Sequence, residues 1–130
     1  MSDYYVLIID DEEDICKLLT IALEKKNFNV SSANTIKEGL NLINQITLDY
    51  LFLDVNLPDG SGLDIIASVR KKYSKAGIVV ISAYDNAKDK SIALRNGADF
   101  YISKPFNNET IYNSISNIDK KNNALGLNPN

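Results

Sequence analysis

Five times along this chain a short, β-branched apolar run gives way to a segment with helical periodicity, and that alternation narrows the fold more than any other feature. The runs are Tyr4-Tyr5-Val6-Leu7-Ile8-Ile9, Asn29-Val30-Ser31-Ser32-Ala33, Tyr50-Leu51-Phe52-Leu53, Ile78-Val79-Val80-Ile81 and Phe100-Tyr101-Ile102. Each is short enough to favour strand over buried helix. Between them Ile15, Leu18, Leu19, Ala22 and Leu23 repeat at i, i+3, i+4, i+7 and i+8, the stripe of one helix face. Thr35 and Glu38 form a capping-box signature that opens a second helix to about Gln45. Leu63, Ile66 and Tyr73 mark a third helix. Ala87, Ile92, Ala93 and Leu94 mark a fourth, weaker one that closes at Gly97, a left-handed C-cap. Ile111, Ile115 and Ile118 mark the fifth, after an Asn107/Asn108 start. Near-continuous apolar strands joined by helices imply a parallel sheet covered on both faces, because right-handed crossovers place helices above and below it. The predicted fold is α/β, a doubly wound five-stranded parallel sheet in a three-layer (βα)5 sandwich. The second strand, which alternates polar and apolar residues, belongs at an edge.

With 130 residues there is room for one core. Periodicity ends near Asp119, so residues 1–120 are read as the domain and residues 121–130, with Gly126 and Pro129, as a flexible tail or the start of a linker. No apolar run approaches the ~20 residues that cross a bilayer, and the N-terminus lacks a secretory signal, so a cytoplasmic protein without membrane insertion is expected. The single Cys16 lies among apolar helix positions and reads as packing. A net charge of −3 without a basic stripe argues against direct nucleic-acid binding. The chain has no His, which leaves Asp, Glu, Lys, Tyr, Ser, Thr and Cys to carry any chemistry.

Ligands of such sheets bind outside the carboxyl ends of the strands. Asp10 and Asp11 end the first strand, Asp54 the third, Ser82 the fourth and Lys104 the fifth, while the second ends in Ala33-Asn34. Taken singly, an Asp at a strand end is more often a helix cap or turn residue. Together the set is harder to dismiss. Carboxylates held ~4 Å apart repel by about 4 kcal/mol per pair at an effective dielectric of ~20. Lys104 can offset one charge, and a hard divalent ion bound by one or two carboxylates, a carbonyl and waters fits the habits of Mg²⁺, with Mn²⁺ as its substitute. Asp54 could then attack phosphorus while the metal and Lys104 neutralise charge and the Ser82 hydroxyl donates to a phosphoryl oxygen.

Ile9-Asp10-Asp11-Glu12, Leu53-Asp54-Val55-Asn56-Leu57-Pro58-Asp59-Gly60, Ile81-Ser82-Ala83 and Ser103-Lys104-Pro105-Phe106 resemble the motifs of response-regulator receiver domains of two-component signalling, in type, order and spacing over about residues 4–118. The resemblance implies a flavodoxin-like fold that is a phosphoacceptor signalling domain rather than an enzyme, though it assists its own phosphorylation and dephosphorylation. It implies a sensor histidine kinase or phosphotransfer protein as donor, Asp54 as acceptor, and Asp10 or Asp11 with Asp54 and the Asn56 backbone carbonyl around Mg²⁺. Ser82, Tyr101 and Lys104 become the switch residues, acting on the surface of the fourth helix, fifth strand and fifth helix that meets an output domain or target protein. The resemblance also implies a cis Lys104-Pro105 bond and leaves room for a phosphorylation-dependent homodimer. Two features depart from the receivers of winged-helix transcription factors: Asp99 is followed by Phe100 rather than a second acid, and no Lys or Arg lies between Glu109 and Ile118. Both speak against the charge-stitched dimer of that subfamily.

Other readings fit less well. A haloacid-dehalogenase-type phosphatase needs a second Asp two positions after the nucleophile, where Asn56 stands. A flavodoxin would cradle phosphate after the first strand, where Asp10-Asp11-Glu12-Glu13 would repel it. A pseudo-receiver would lack one of the phosphorylation residues, and none is missing. Glu12 and Glu13 are read as first-turn acids favoured by the helix dipole, with a minor metal role left to Glu12. Gly60 and Gly62 are read as turn residues.

Overall fold

The computed structural model describes residues 4–83 and 86–124. Five parallel strands, β1 (Tyr5–Ile9), β2 (Asn29–Ala33), β3 (Tyr50–Asp54), β4 (Gly77–Ser82) and β5 (Phe100–Ser103), form one sheet in the order β2-β1-β3-β4-β5. The helices are α1 (Glu13–Glu24), α2 (Ile36–Ile43), α3 (Ile66–Lys72), α4 (Ala87–Arg95) and α5 (Asn108–Ala124). The half-buried β2 is indeed an edge strand.

The alternation of side chains along each strand divides the apolar residues between two cores. Leu7, Ile9, Leu51, Leu53, Ile78 and Val80 face Ile43 of α2, Ile66 and Val69 of α3 and Ala93 of α4. Val6, Ile8, Phe52, Val79, Ile81 and Ile102 face Cys16, Leu19, Ala22 and Leu23 of α1 and Ile111, Ile115 and Ile118 of α5. Register then aligns the carboxyl ends. Ile9 pairs with Leu53, Asp54 with Ile81 and Ser82 with Ser103, and the Lys104 N–H donates to the Ser82 carbonyl at 2.8 Å. The Asp10, Asp54, Ser82 and Lys104 positions therefore converge on one rim.

Helix ends follow the expected chemistry. Gly97 adopts φ +117° beyond α4, with the Ala98 N–H on Ala93 O at 3.0 Å and its own N–H on Leu94 O at 3.2 Å, the paired bonds of a Schellman motif. The Thr35 hydroxyl accepts from the Glu38 N–H at 3.1 Å, and Glu38 Oε1 accepts from the N–H of Asn34, one residue before the position a standard capping box uses.

Three expectations need correction. The third helix does not follow directly on the turn: Asn56–Leu57 and Gly60–Ser61 pair as a small antiparallel ribbon, and a 3-10 turn, Gly62–Ile65, precedes α3. Gly62 answers to close approach rather than turn freedom, since a Cβ there would stand 2.1 Å from the Asp54 carbonyl oxygen. The last helix continues to Ala124, past the boundary at residue 120. Beyond Ile118 it is held by polar contacts that leave no apolar period: Tyr50 donates its hydroxyl to Asp119 Oδ1, and Lys121 pairs with Asp99 at 3.2 Å. Of the expected tail, residues 125–130 lie outside the described residues. No helix among the described residues is long and apolar enough to cross a membrane.

Candidate functional site: an acidic pocket at the carboxyl edge

Asp10 is fully buried just past β1. Its Oδ1 accepts the Glu12 N–H at 2.9 Å, a local turn, and its main-chain oxygen accepts from Asn34 Nδ2 at 2.9 Å and from Cys16 Sγ at 3.3 Å. Its Oδ2 is buried 3.2 Å from Lys104 Nζ yet has no aligned hydrogen bond. Such an unsatisfied buried oxygen is costly unless a cation completes it. Asp11 and Glu12 are exposed beside it, and one carboxylate oxygen from each of Asp10, Asp11 and Glu12 lies within 4.8 Å of the others.

Asp54, at the end of β3, is 3% exposed. Lys104 reaches it from β5, with Nζ 3.5 Å from Asp54 Oδ1, 3.2 Å from Asp10 Oδ2 and 3.0 Å from Glu12 Oε1. Burial pushes the Asp54 carboxyl up to about 7, and the Asp10 charge adds to this while Lys104 only partly offsets it. Asp10 is raised as well, chiefly by burial, against the pull of the Glu12 N–H and Lys104. Burial alone would lower Lys104, but Glu12, Asp10 and Asp54 more than reverse that and leave it above the ordinary lysine value. The pocket is thus short of positive charge, which is what a divalent cation supplies.

Ser82 is fully buried at the end of β4, two residues after Val80 and so on the sheet face covered by α4. Tyr101, paired in register with Val80, is half-buried and packs on that same core. Asn56 sits in the ribbon opposite Ser61. The Lys104-Pro105 bond is cis. Cys16 is buried, and burial, followed by the Asp10 charge, pushes its thiol up to about 11, in keeping with a packing role.

All the residues singled out at the strand ends are therefore on the same rim, with Asp11 at its exposed side. Glu12, at the start of α1, also pairs with Lys104 at 3.0 Å, a contact invisible in sequence because the partner arrives from the end of β5. Two further residues were missed. Asn34 holds the Asp10 main chain, and Asp59 accepts the Ile36 and Lys37 N–H groups at 2.9 and 3.0 Å. Asn34 carried no charge to mark it, and Asp59 looked like a turn former.

A doubly wound sheet with an acidic, lysine-bearing pocket at its carboxyl edge defines a flavodoxin-like α/β domain of the receiver type. The family model for the response regulator receiver domain matches residues 6–116. Regulatory protein VanR of Enterococcus faecium is 40% identical over 106 residues, covering 82% of this chain and 45% of that protein. Among solved structures, a CheY-like receiver domain protein from Methanospirillum hungatei superposes with TM-score 0.86 at 27% identity, over 95% of this chain and 99% of the other. A response regulator from Burkholderia pseudomallei, solved with a phosphorylated aspartic acid, a calcium ion and citrate, gives TM-score 0.82 at 29% identity, over 96% and 74%. This chain belongs to the response regulator receiver domain family and is a signalling domain of two-component systems. It spans about a quarter to a half of the length of the curated relatives it matches.

Proposed function

We propose that Asp54 is the phosphoacceptor and that a sensor histidine kinase or phosphotransfer protein is the donor. The supporting observation is the meeting of Asp10 and Asp54 on the single ammonium of Lys104 in a buried pocket. An Asp54 carboxylate oxygen attacks the phosphorus of a phosphohistidine. The new P–O bond makes an acyl phosphate, the P–N bond breaks, and the departing imidazole takes up a proton. Lys104 shifts from the carboxylates to a phosphoryl oxygen, and the Ser82 hydroxyl donates to another.

The donor set suits Mg²⁺ or Mn²⁺: carboxylates of Asp10, Asp11 and Asp54 with the Asn56 carbonyl, the buried Asp10 Oδ2 having no aligned hydrogen bond of its own. When bound, the ion neutralises charge on the transferring phosphoryl group. The same residues, with water as attacking group, give the domain its part in its own dephosphorylation.

The output surface in this reading is α4, β5 and α5, switched through Ser82 and Tyr101, and it meets an output domain, a target protein or a second phosphorylated copy. The carboxylate of Asp99 is occupied within the chain by Arg70 and Lys121, which does not favour a dimer stitched through it. The functional unit is residues 1–120 with the last turn of α5, working in the cytoplasm, on protein partners rather than nucleic acid.

Incubation with acetyl phosphate and Mg²⁺ tests the assignment by intact mass. The wild-type chain should gain one phosphoryl group, Asp54→Ala should gain none with an unchanged circular dichroism spectrum, and Lys104→Ala should gain it slowly. A full adduct on Asp54→Ala would overturn the assignment.

A further inference from the structure

Of the five strand ends, the second alone carries no reactive side chain, yet it is tied to both sides of the acidic pocket. From the corner between β2 and α2, Asn34 Nδ2 reaches the Asp10 main-chain oxygen at 2.9 Å. The Asn34 N–H is itself held by Glu38 Oε1 at 3.1 Å. On the other side Asp59, at the tip of the ribbon after β3, lays its carboxylate across the same corner and accepts the N–H groups of Ile36 at 2.9 Å and Lys37 at 3.0 Å. Those two bonds hold the Asp59 carboxyl below the usual carboxylate range.

The ribbon tip is shaped for this contact. Gly60 adopts φ +147°, and a Cβ there would stand 3.3 Å from Ile36 Cδ1, so the ribbon tip lies close against the start of α2. The far end of the loop closes on the chain beside Asp54, with the Gly62 N–H on Val55 O at 2.7 Å. Residues 56–61 are thereby pinned at both ends, and Asn56 lies within them.

Asp59 adds to the capping of α2 from across the fold, since the Ile36 and Lys37 N–H groups are first-turn donors that the helix itself leaves free. Thr35 caps α2 from within, and the first intrahelical bond, Gly39 N–H to Thr35 O at 3.0 Å, does not involve the loop. The carboxylate at the ribbon tip thus ties the ribbon, which carries Asn56, to the corner from which Asn34 holds the Asp10 main chain.

We propose that Asn34 and Asp59 are positioning residues for divalent-cation binding: both are anchored at the corner between β2 and α2, Asn34 setting the Asp10 main chain and Asp59 setting the loop that carries the Asn56 carbonyl. The inference rests on the assignment of the pocket to Asp10, Asp54 and Asn56. The supports of a metal site tune it by holding its ligands in place, and their loss typically weakens metal binding by 10–100-fold.

Calorimetric titration of the whole chain with MgCl₂ tests this, run in about 1 M KCl, where the Debye length of about 3 Å removes the long-range effect of deleting a charge. Asp59→Ala and Asn34→Ala should each raise the Mg²⁺ dissociation constant about tenfold and slow adduct formation from acetyl phosphate. Thr35→Ala, in the same corner, removes only the bond to the Glu38 N–H and deletes neither the Asn34–Asp10 nor the Asp59 bonds, so it should melt lower while keeping Mg²⁺ affinity within about twofold, by the same reasoning. Unchanged affinity in both Asp59→Ala and Asn34→Ala would overturn the proposal, as would a Thr35→Ala loss as large as theirs. An Asp54→Asn variant that kept both Mg²⁺ affinity and the adduct would overturn the pocket assignment itself, a result distinguishable from failure of the tether alone.

Discussion

Lys104 Nζ stands 3.5 Å from Asp54 Oδ1, farther than from Glu12 Oε1 at 3.0 Å or Asp10 Oδ2 at 3.2 Å. One ammonium is shared among three carboxylates, and the one buried at the end of β3 receives least of it. Burial first, then the Asp10 charge, push the Asp54 carboxyl up to about 7, and the shared ammonium offsets this only in part.

The imbalance sets the pH dependence of stability. Folding raises the Asp54 carboxyl from an ordinary value of 3.8 to about 7, so between those limits the folded chain binds more protons than the unfolded one. Stability of the Mg²⁺-free protein should therefore fall as pH rises from about 4 through about 7, by roughly 1.4 kcal/mol for each pKa unit of displacement. The raised Asp10 acts in the same direction. Melting in EDTA at about pH 5.5 and pH 8 checks this: the higher pH should melt lower, Asp54→Asn should flatten the difference, and Mg²⁺ at tenfold its dissociation constant should restore about 1.4 kcal/mol at pH 8. An equally steep fall in Asp54→Asn would place the titrating group elsewhere.

Ser82 and Tyr101 share the α4 side of the sheet, and Ala93 is the buried residue of α4. So lightly packed a helix is easy to displace. An added phosphoryl group brings about −1.5 to −2 charge and three acceptor oxygens, and the Ser82 hydroxyl can bond one by moving toward Asp54, which vacates space beside Tyr101. Shifting such an equilibrium from 1:99 to 99:1 takes about 5.5 kcal/mol, within reach of a few charge-assisted bonds. Beryllofluoride, standing in for the phosphoryl group, should change NMR shifts at Ser82, Tyr101 and through residues 86–106. Ser82→Ala should bind the mimic with the distant changes much reduced. Full propagation to Tyr101 in that variant would remove the hydroxyl from the pathway.

At the opposite end of the sheet one guanidinium joins three segments. Arg70 donates from Nε and Nη2 to the Gly97 carbonyl at 3.0 and 2.8 Å, from Nη1 to Ala76 at 2.6 Å and Ser74 at 3.0 Å, and pairs with Asp99 at 2.7 Å. Asp99 also accepts the Ile78 N–H at 2.9 Å. Truncation strands several carbonyls and takes one of two cations from Asp99, whose side chain is 10% exposed. Arg70→Ala should cost about 2–3 kcal/mol in urea unfolding, and Arg70→Lys should recover little because the fork geometry is lost. A cost below about 0.5 kcal/mol would mark the network as an ordinary exposed ion pair.

The alternation of apolar runs with helical stripes was enough to place all five strands, and the residue types at their ends named Asp10, Asp54, Ser82 and Lys104 before any contact was known. Strand and helix periods are local signals, and a doubly wound sheet brings every strand end to one rim, so position in the run implies position in the site. The contacts that organise the rim have no such local signal. Glu12 meets Lys104, Asn34 meets Asp10, and Asp59 meets the start of α2, each across a crossover between strands. The end of α5 was misjudged for a related reason, since its last turns are held by Asp119 and Lys121 through polar bonds rather than an apolar stripe. Burying apolar surface demands a repeating pattern along the chain, whereas a hydrogen bond or ion pair needs one partner at one place, and that place exists only once the strands are in register.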